Sequence, residues 1–512
     1  MASFSERYHE FTKYNPLSID RLHQVNWADE PRPFKSHDSS ADFDFTPWLQ
    51  HLANLNKEDS QVNFGPDSGN FVSDPEFLAS LFFHSAGISA AMQTEKGPFY
   101  FRANPSAGGL YPNESYIYLL KETSQLKEER LLTHQFYHYQ PLSNQLYATG
   151  DTSQSSHLEK CFALPDEYEE ADFLIVITGI HARSFWRYGQ RAYRRQLLDC
   201  GHLAGNYELY LKSKGKHVKF LNGFSDINLQ QKMGLKMEAP LLVLAVKNTA
   251  FGHESNNSHG NDTVRSTPSL HFGSIPPQDA YKNINTSADI YIQQAEMEAQ
   301  LDPTPANIHI QKPLHSSLEI TPLAKNKLQH MTFVPLELIR RRSVRQFSTR
   351  LGAQASFEKF SEIVDFSLEL HPKPMSAGFL KTWLLFKGDS ESPMALYTLD
   401  LDGKLWLKEE KTPTWEKFTE VCLGQDIAAQ SQAVIFHTAN LNEATKALGD
   451  RVYRYLNYDA GVYGQLMQIA ANHMKLGTTG IGGYFDDMVN ELLSTELSEA
   501  IFYITLLGTP PD

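Results

Sequence analysis

The sequence predicts an α+β fold that is present twice in one chain. Three observations point to it: a long internal repeat, short β-rich apolar runs alternating with helical periodicity, and a hairpin-like segment in the N-terminal half. The repeat carries the most weight. Arg191-Ala-Tyr193-Arg194 is answered 260 positions later by Arg451-Val-Tyr453-Arg454. At the same offset Asp199 and Gly201 fall on Asp459 and Gly461, Phe173–Thr178 on Ala433–Thr438, Asn222-Gly223-Phe224 on Gly482-Gly483-Tyr484, and Asp226 on Asp486. Ser106-Ala-Gly108 is answered by Ser376-Ala-Gly378 at an offset of 270, which a length difference of about ten residues between this block and the later ones explains. A period of this size is that of a whole domain, not of a solenoid unit. Two fused copies of one domain are a common single-chain form of a symmetric dimer, with sites between subunits becoming sites between halves.

Within each half, Leu174–Ile180 and Val434–Ala439 read as buried strands. A helix follows. In the second half Val462, Leu466, Ile469, Ala470 and His473 share one face, and Gly477 is placed as the C-terminal cap; the first-half helix runs to Gly215. A glycine-containing loop and a short helix come next, then strands at Leu241–Val246 and Ile501–Leu507. Gln135–Tyr147 reads as a hairpin turning at Pro141–Asn144, and Tyr116–Leu120 as a strand. Helices mixed with hairpins favour α+β over a doubly wound sheet.

The 512 residues suffice for two cores. Between Asn248 and Ser317 apolar periodicity fades and Gly, Ser, Asn and Pro accumulate, so this stretch reads as a linker with a local helix at Ala288–Leu301. The expected organisation is a first domain over 1–247, a linker over 248–330 and a second domain over 331–512. His253 and His259 read as solvated linker histidines, and no metal site is expected. A net charge of −14 disfavours nucleic acid and anionic membrane as partners. Three scattered cysteines fit a reducing compartment, and no signal peptide or spanning run is seen, so a cytoplasmic protein is expected.

Four segments could carry chemistry. Arg340-Arg341-Arg342-Ser343-Val344-Arg345 is either a phosphate-binding cluster, since guanidinium forks grip phosphate bidentately, or a solvated basic helix end. Gly477-Thr-Thr-Gly480-Ile481-Gly482-Gly483 follows a helix, the wrong order for a dinucleotide fingerprint; it is a tight loop over a flat ligand or a plain turn. Asn104-Pro105-Ser106-Ala107-Gly108-Gly109 is a ligand wall or an ordinary loop. In Arg187-Tyr188-Gly189-Gln190-Arg191-Ala192-Tyr193-Arg194, the last arginines and Tyr193 recur in the second half and read as structural. Arg187 and Tyr188 are replaced there by Ala447 and Leu448, which hints at a role special to one half.

Taken together these blocks resemble the nitroreductase superfamily, and within it the SagB/ThcOx-type FMN oxidoreductases. The resemblance covers most of both halves and implies two tandem nitroreductase-like domains forming a pseudo-dimer, with FMN between them. It implies that Arg341, Ser343 and Arg345, with Arg342 beside them, hold the FMN phosphate, ribityl chain and pyrimidine edge. Backbone groups of Ile481, Gly482 and Gly483 would face flavin N5. Pro105, Ser106, Ala107 and Gly108 of the first half would form the opposing wall, and Tyr188 and Arg187 would be the catalytic pair. The expected reaction is hydride transfer through flavin N5, either dehydrogenating an azoline-type heterocycle in a modified peptide or reducing a nitro or quinone compound with NAD(P)H. The alternative is a non-catalytic flavin-binding or partner-binding pseudo-dimer. Where azoline-oxidising relatives pair lysine with tyrosine, this chain has Arg187-Tyr188, and arginine is a poor general base. The mirror-image site reads as degraded: its phosphate motif would be His9–Tyr14, its wall Met375–Phe379 and its loop Leu221–Gly223. One FMN per chain is expected, in a monomeric pseudo-dimer or a homodimer.

Overall fold

The computed structural model describes residues 2–17, 19, 24–50, 75–121, 131, 133–150, 158–162, 166–248, 335–350, 355–389, 394–399, 405–410, 415 and 417–511. The anticipated linker, with His253, His259 and the helix expected at Ala288–Leu301, lies outside these residues apart from Asn248.

Fifteen strands are assigned among the described residues: β1 (Phe43–Asp44), β2 (Ile88–Thr94), β3 (Gly97–Arg102), β4 (Asn113–Leu119), β5 (Phe136–Gln140), β6 (Gln145–Thr149), β7 (Phe173–Gly179), β8 (His217–Leu221), β9 (Ala239–Lys247), β10 (Lys381–Phe386), β11 (Ala395–Leu399), β12 (Leu405–Glu410), β13 (Ala433–Asn440), β14 (Gly477–Ile481) and β15 (Glu499–Gly508). The first sheet has the order β1-β6-β5-β4-β7-β9-β8 and the second β12-β11-β10-β13-β15-β14. Apart from the added edge strand β1, the two orders are identical, and the described pairings within both sheets are antiparallel. β2 and β3 form a separate hairpin.

The apolar runs are continuous because both faces of each central strand are covered. In β7, Phe173, Ile175 and Ile177 face a central core shared by both halves, while Leu174 and Val176 face an outer core. In β13, Ala433 and Ile435 face the centre and Val434 and Phe436 the outer core of the second half. Short helices cover the outer faces. One of them, Asp226–Lys232, is started by Ser225, whose hydroxyl accepts from the Asn228 N–H at 3.3 Å.

Two long helices, Ala192–Ser213 and Val452–His473, run through the middle and are buried along almost their whole length. They cross where Gly201 meets Gly461. A Cβ placed on either glycine would stand 2.9 Å from the other's Cα and still closer to a backbone carbonyl of the opposing helix. The crossing therefore requires glycine on both sides.

Each helix opens on the repeated arginine segment, and each arginine pair reaches into the other half. Arg194 donates to Asp486 at 2.8 Å, with Arg191 at 3.4 Å; Arg454 donates to Asp226 at 2.6 Å, with Arg451 at 3.0 Å. Burial alone would raise the Asp486 carboxyl, but Arg194 and Arg191 outweigh it and hold it well below the usual range. Arg454 also donates to the Tyr193 hydroxyl, and Arg194 to that of Tyr484.

The expected strands and hairpin are present. The second-half helix starts ten residues before Val462, and Gly477 is not its cap: Lys475 takes the left-handed conformation after the helix, and Gly477 opens β14. The glycine is needed there because a Cβ would press on the Val344 side chain at 2.8 Å. The supposed glycine loops are thus mostly strands β8 and β14, with only Gly482-Gly483 left as loop in the second half. No helix among the described residues is long and apolar enough to cross a membrane.

The crossing gives a direct test. Gly461→Ala should lower unfolding free energy by about 1–3 kcal/mol, the usual penalty for an overpacked contact, read as a fall in the urea midpoint. An unchanged midpoint would show that the helices can separate freely.

Candidate functional site

Arg341 comes just after a short helix, Pro335–Arg340, that leans on Pro75–Ala86 of the first half. Its side chain is buried. Nε donates to the Ala103 carbonyl of the first half at 3.2 Å, and Nη1 to Gln468 Oε1 at 3.2 Å and Ser343 Oγ at 3.4 Å. Burial pushes this guanidinium down to about 10. Arg342 donates across to the Ser89 carbonyl of β2 at 3.1 Å, and Arg345 is exposed. The Val344 N–H bonds the Thr478 carbonyl at 2.9 Å, so the cluster lies along β14.

The first half supplies the facing wall. Ser106 Oγ donates to Asp199 at 2.5 Å, the Ala107 N–H bonds the same carboxylate at 3.1 Å, and Ser106 Oγ accepts from the Tyr111 N–H at 2.9 Å. Burial pushes the Asp199 carboxyl up to about 7, against these hydrogen bonds and the charge of Arg195. Gly108 has φ 65°, and a Cβ there would meet the Tyr188 hydroxyl at 2.6 Å and Arg187 Nη1 at 3.0 Å. Arg187 donates to the Gly108 carbonyl at 3.4 Å. Pro105 adjoins the loop, its carbonyl bonded by the Asn104 side chain at 3.2 Å. Burial raises the Tyr188 phenol, while Arg195 and Arg187 pull it down, so it keeps its proton near neutrality.

Gly482 and Gly483 follow β14. Their N–H groups make no backbone hydrogen bond among the described residues. The Ile481 side chain instead packs in the outer core with Tyr484 and Val489. Over β14 sits Tyr503 of β15, its hydroxyl against Gly480, with Arg341, Arg195 and Asp199 around it. The hydroxyl lies 2.8 Å from His202 Nε2, His202 Nδ1 lies 3.0 Å from Gln465 Oε1, Gln465 donates to Asn206 Oδ1 at 2.5 Å, and Asn206 donates to the Ser85 carbonyl at 2.8 Å. Because Ser85 offers only an acceptor, the direction of the whole chain is fixed: His202 carries its proton on Nδ1 and accepts from Tyr503. Burial keeps this imidazole neutral, at about 4. Sequence reasoning missed Tyr503, His202 and Gln468, which have no counterpart motif and become neighbours only through the crossing.

The two halves thus bring Arg341, Ser343, Gly482, Gly483, Ser106, Ala107, Gly108, Arg187 and Tyr188 to one place. The mirror place is different. His371 lies 2.8 Å from Glu208 and 3.3 Å from Asp459, where Glu208 stands at the position of Gln468 and Asp459 at that of Asp199. Phe220 and Tyr463 pack edge-on against its ring. Burial opposes protonation, but the Glu208 and Asp459 carboxylates outweigh it and push His371 up to about 9. Met375 and Ser376 N–H groups bind Asp459 at 3.0 and 2.7 Å, so the wall is retained but faces an internal ion pair. His9–Tyr14, expected as the mirror phosphate motif, lies elsewhere. His9 packs on Tyr453 and Asp486, Lys13 pairs with Asp487 at 2.9 Å, and Tyr14 lies 3.9 Å from the Arg191 guanidinium. An open cavity of about 500 Å³ beside that N-terminal helix touches none of the composite-site residues.

An α+β pseudo-dimer with a polar site between its halves belongs to a recognisable class of redox enzyme. The Nitroreductase family model matches residues 86–247 and 338–509, and the chain belongs to that family. A crystal structure of a nitroreductase-like protein from Anabaena variabilis superposes over 100% of both chains with a TM-score of 0.79 and 28% identity. The Escherichia coli Microcin B17-processing protein McbC is 30% identical over 146 residues, 28% of this chain and 52% of that protein. A nitroreductase-like protein of Methanocaldococcus jannaschii, MJ1384, is 31% identical over 71 residues, 14% of this chain and 36% of that protein. The chain thus aligns with between about a third and a half of these curated relatives.

The mirror-site ion pair makes stability pH-dependent. His371 is raised from 6.5 to about 9, so its contribution is complete below about pH 6.5 and is lost as pH rises through about 9. His371→Gln should lower the melting temperature at pH 6, since breaking a buried pair costs about 3–5 kcal/mol. It should also flatten the fall in melting temperature between pH 7 and 10. Parallel pH profiles for the two proteins would exclude this role.

Proposed function

We propose that this nitroreductase-family oxidoreductase is FMN-dependent, with one flavin held in the composite site. The observation that carries the reading is the two-sided cradle: a buried second-half guanidinium, Arg341, tied to the first-half carbonyl of Ala103, together with Gly482 and Gly483, whose N–H groups make no backbone hydrogen bond among the described residues. The cradle fits the cofactor in its donor chemistry. Gln468 Nε2 is buried without a partner among the described residues, and Arg342, Ser343 and Arg345 supply donors for a phosphate. Glycine at 482 and 483 allows a flat ring to approach the backbone. Bound FMN supplies two-electron hydride exchange at N5.

The residues of the chain do the rest. Arg341 and Ser343 anchor and orient the cofactor, and the Ser106–Gly108 wall, pinned by Asp199, bounds the ring and excludes water. Tyr188 holds a proton at its phenol oxygen and can donate it to a substrate atom, with Arg187 beside it as a fixed positive charge. Because arginine stays protonated, this pair suits donation better than proton abstraction. That favours reduction of a nitro or quinone group with NAD(P)H as donor. The similarity to McbC, named for peptide processing, keeps dehydrogenation of an azoline-type ring in a modified peptide as the competing substrate class. The ion pair around His371 fills the mirror place, which supports a single flavin per chain.

Purified protein should be yellow, with a flavin-to-chain ratio near one. Arg341→Ala combined with Arg345→Ala should release the flavin. A colourless protein that FMN cannot reconstitute would end the proposal, and a ratio near two would end the single-site part. Tyr188→Phe should keep the flavin and lower kcat by about 10²–10⁴-fold, the usual contribution of a general acid. Bleaching by NADPH or NADH under anaerobic conditions separates the reductase from the dehydrogenase.

A further inference from the structure

Arg195 is the one arginine at the start of its helix whose partner the fold does not supply. Arg191 and Arg194 both bind Asp486. The Arg195 residue is only 3% exposed, yet among the described residues it makes no hydrogen bond and no ion pair. Asp199, one helical turn further on, is committed to Ser106 and Ala107. Its nitrogens are not among the sealed, unpartnered polar atoms of the chain, so the side chain is almost wholly buried yet keeps an open edge at which an acceptor can enter.

Its position says what it waits for. A Cβ on Gly482 would lie 2.5 Å from Arg195 Nη1, so the guanidinium rests on the glycine loop of the other half. Its Cζ is 5.9 Å from the centroid of the Tyr188 ring. It therefore stands between the loop and the phenol, inside the composite site. At the equivalent place in the second half stands Tyr455, whose hydroxyl donates to the Asn222 carbonyl at 2.9 Å. There the loop satisfies the side chain. Opposite Gly482 it does not.

We infer that Arg195 is the anion anchor of the composite site, binding a negatively charged oxygen: the carboxylate of a small substrate, or the anionic pyrimidine edge of the cofactor. The assignment rests on the same site as the flavin reading, but the cation and its missing partner are there whether or not flavin binds.

Calorimetric titration of the full chain with benzoate and with neutral benzamide tests the substrate arm; FMN affinity by fluorescence quenching after flavin removal tests the cofactor arm. The variants are Arg195→Met and Arg195→Lys. For a substrate anchor, wild type prefers benzoate by roughly tenfold or more, as a charge-assisted hydrogen bond implies. Arg195→Met loses that preference, and Arg195→Lys keeps part of it. For a cofactor anchor, benzoate and benzamide bind alike, and Arg195→Met weakens FMN by a similar factor. In either case the flavin-free Arg195→Met protein should melt no lower than wild type, because no hydrogen bond or ion pair among the described residues is lost. A lower melting temperature with benzoate preference and FMN affinity both unchanged would make Arg195 a structural residue and overturn the inference. A benzoate preference that needs Arg195, in a protein that never takes up FMN, would sink the flavin reading and leave the anchor standing.

Discussion

The contact between Gly201 and Gly461 sets the geometry of everything else. Where two helices touch backbone to backbone, side chains flanking the crossing are carried into the opposite half. That is why the arginines opening each helix pair with an aspartate of the other half, and why His202 and Asn206 meet Gln465, 263 and 259 positions away. A site built at this crossing is composite by construction. Separating the halves would divide the Arg341 side chain from Ala103 and the Gly482 loop from Arg195.

The frame is symmetric and its two sites are not. Asp226 and Asp486 hold equivalent arginine pairs, and Asp199 and Asp459 hold equivalent wall loops. Differences are confined to side chains that the frame does not need. Gln468 answers to Glu208, Arg195 to Tyr455, Tyr188 to Leu448. Two of these substitutions in the mirror place close a polar group on another polar group of the chain. Glu208 takes His371 and Lys212, and Tyr455 takes Asn222. Stability is served by such closure, since a buried charge is tolerable only when paired. The composite place instead leaves Gln468 Nε2 without a partner among the described residues.

The sheets were legible in the sequence because the repeat register holds without a gap from Phe173 to Asp226, and the same strand order in both sheets follows from it. Gly477 misled because a glycine after a helix suggests a cap, whereas packing on Val344 is what demands it; Lys475 shows that an ordinary residue can take the left-handed turn. His9–Tyr14 misled because a weak basic motif was matched by type alone, while the segment is drawn to the second half by Ser5, which bonds Asp450. Arg341, Ser343, Ser106 and Gly108 were found because they sit in compact motifs. Arg195 was passed over because it follows Arg194 directly and shares its composition; the 100° turn between successive helical residues sends one toward Asp486 and the next toward Gly482. His371 carries no local signal, since its carboxylate partners come from two other helices.

The composite site combines two kinds of buried polarity, and they act differently. The chain from Tyr503 through His202, Gln465 and Asn206 to Ser85 is satisfied at each link, and a closed network of this sort fixes rotamers and tautomers without further help. With its own proton given to His202, the Tyr503 oxygen is left as an acceptor against Gly480. It forms a rigid floor whose hydrogen-bonding sense cannot reverse, because reversal would leave the Ser85 carbonyl facing another acceptor. Beside it, Arg195 and the N–H groups of Gly482 and Gly483 are donors left unmet among the described residues. A fixed acceptor together with unmet donors makes a site that is polarised before anything enters it, and an anion entering there would displace no internal bond among the described residues. Preorganised donors of this kind act most strongly where water is excluded. The asymmetry between the two halves is therefore located in the few groups whose hydrogen bonds the fold leaves to be completed from outside.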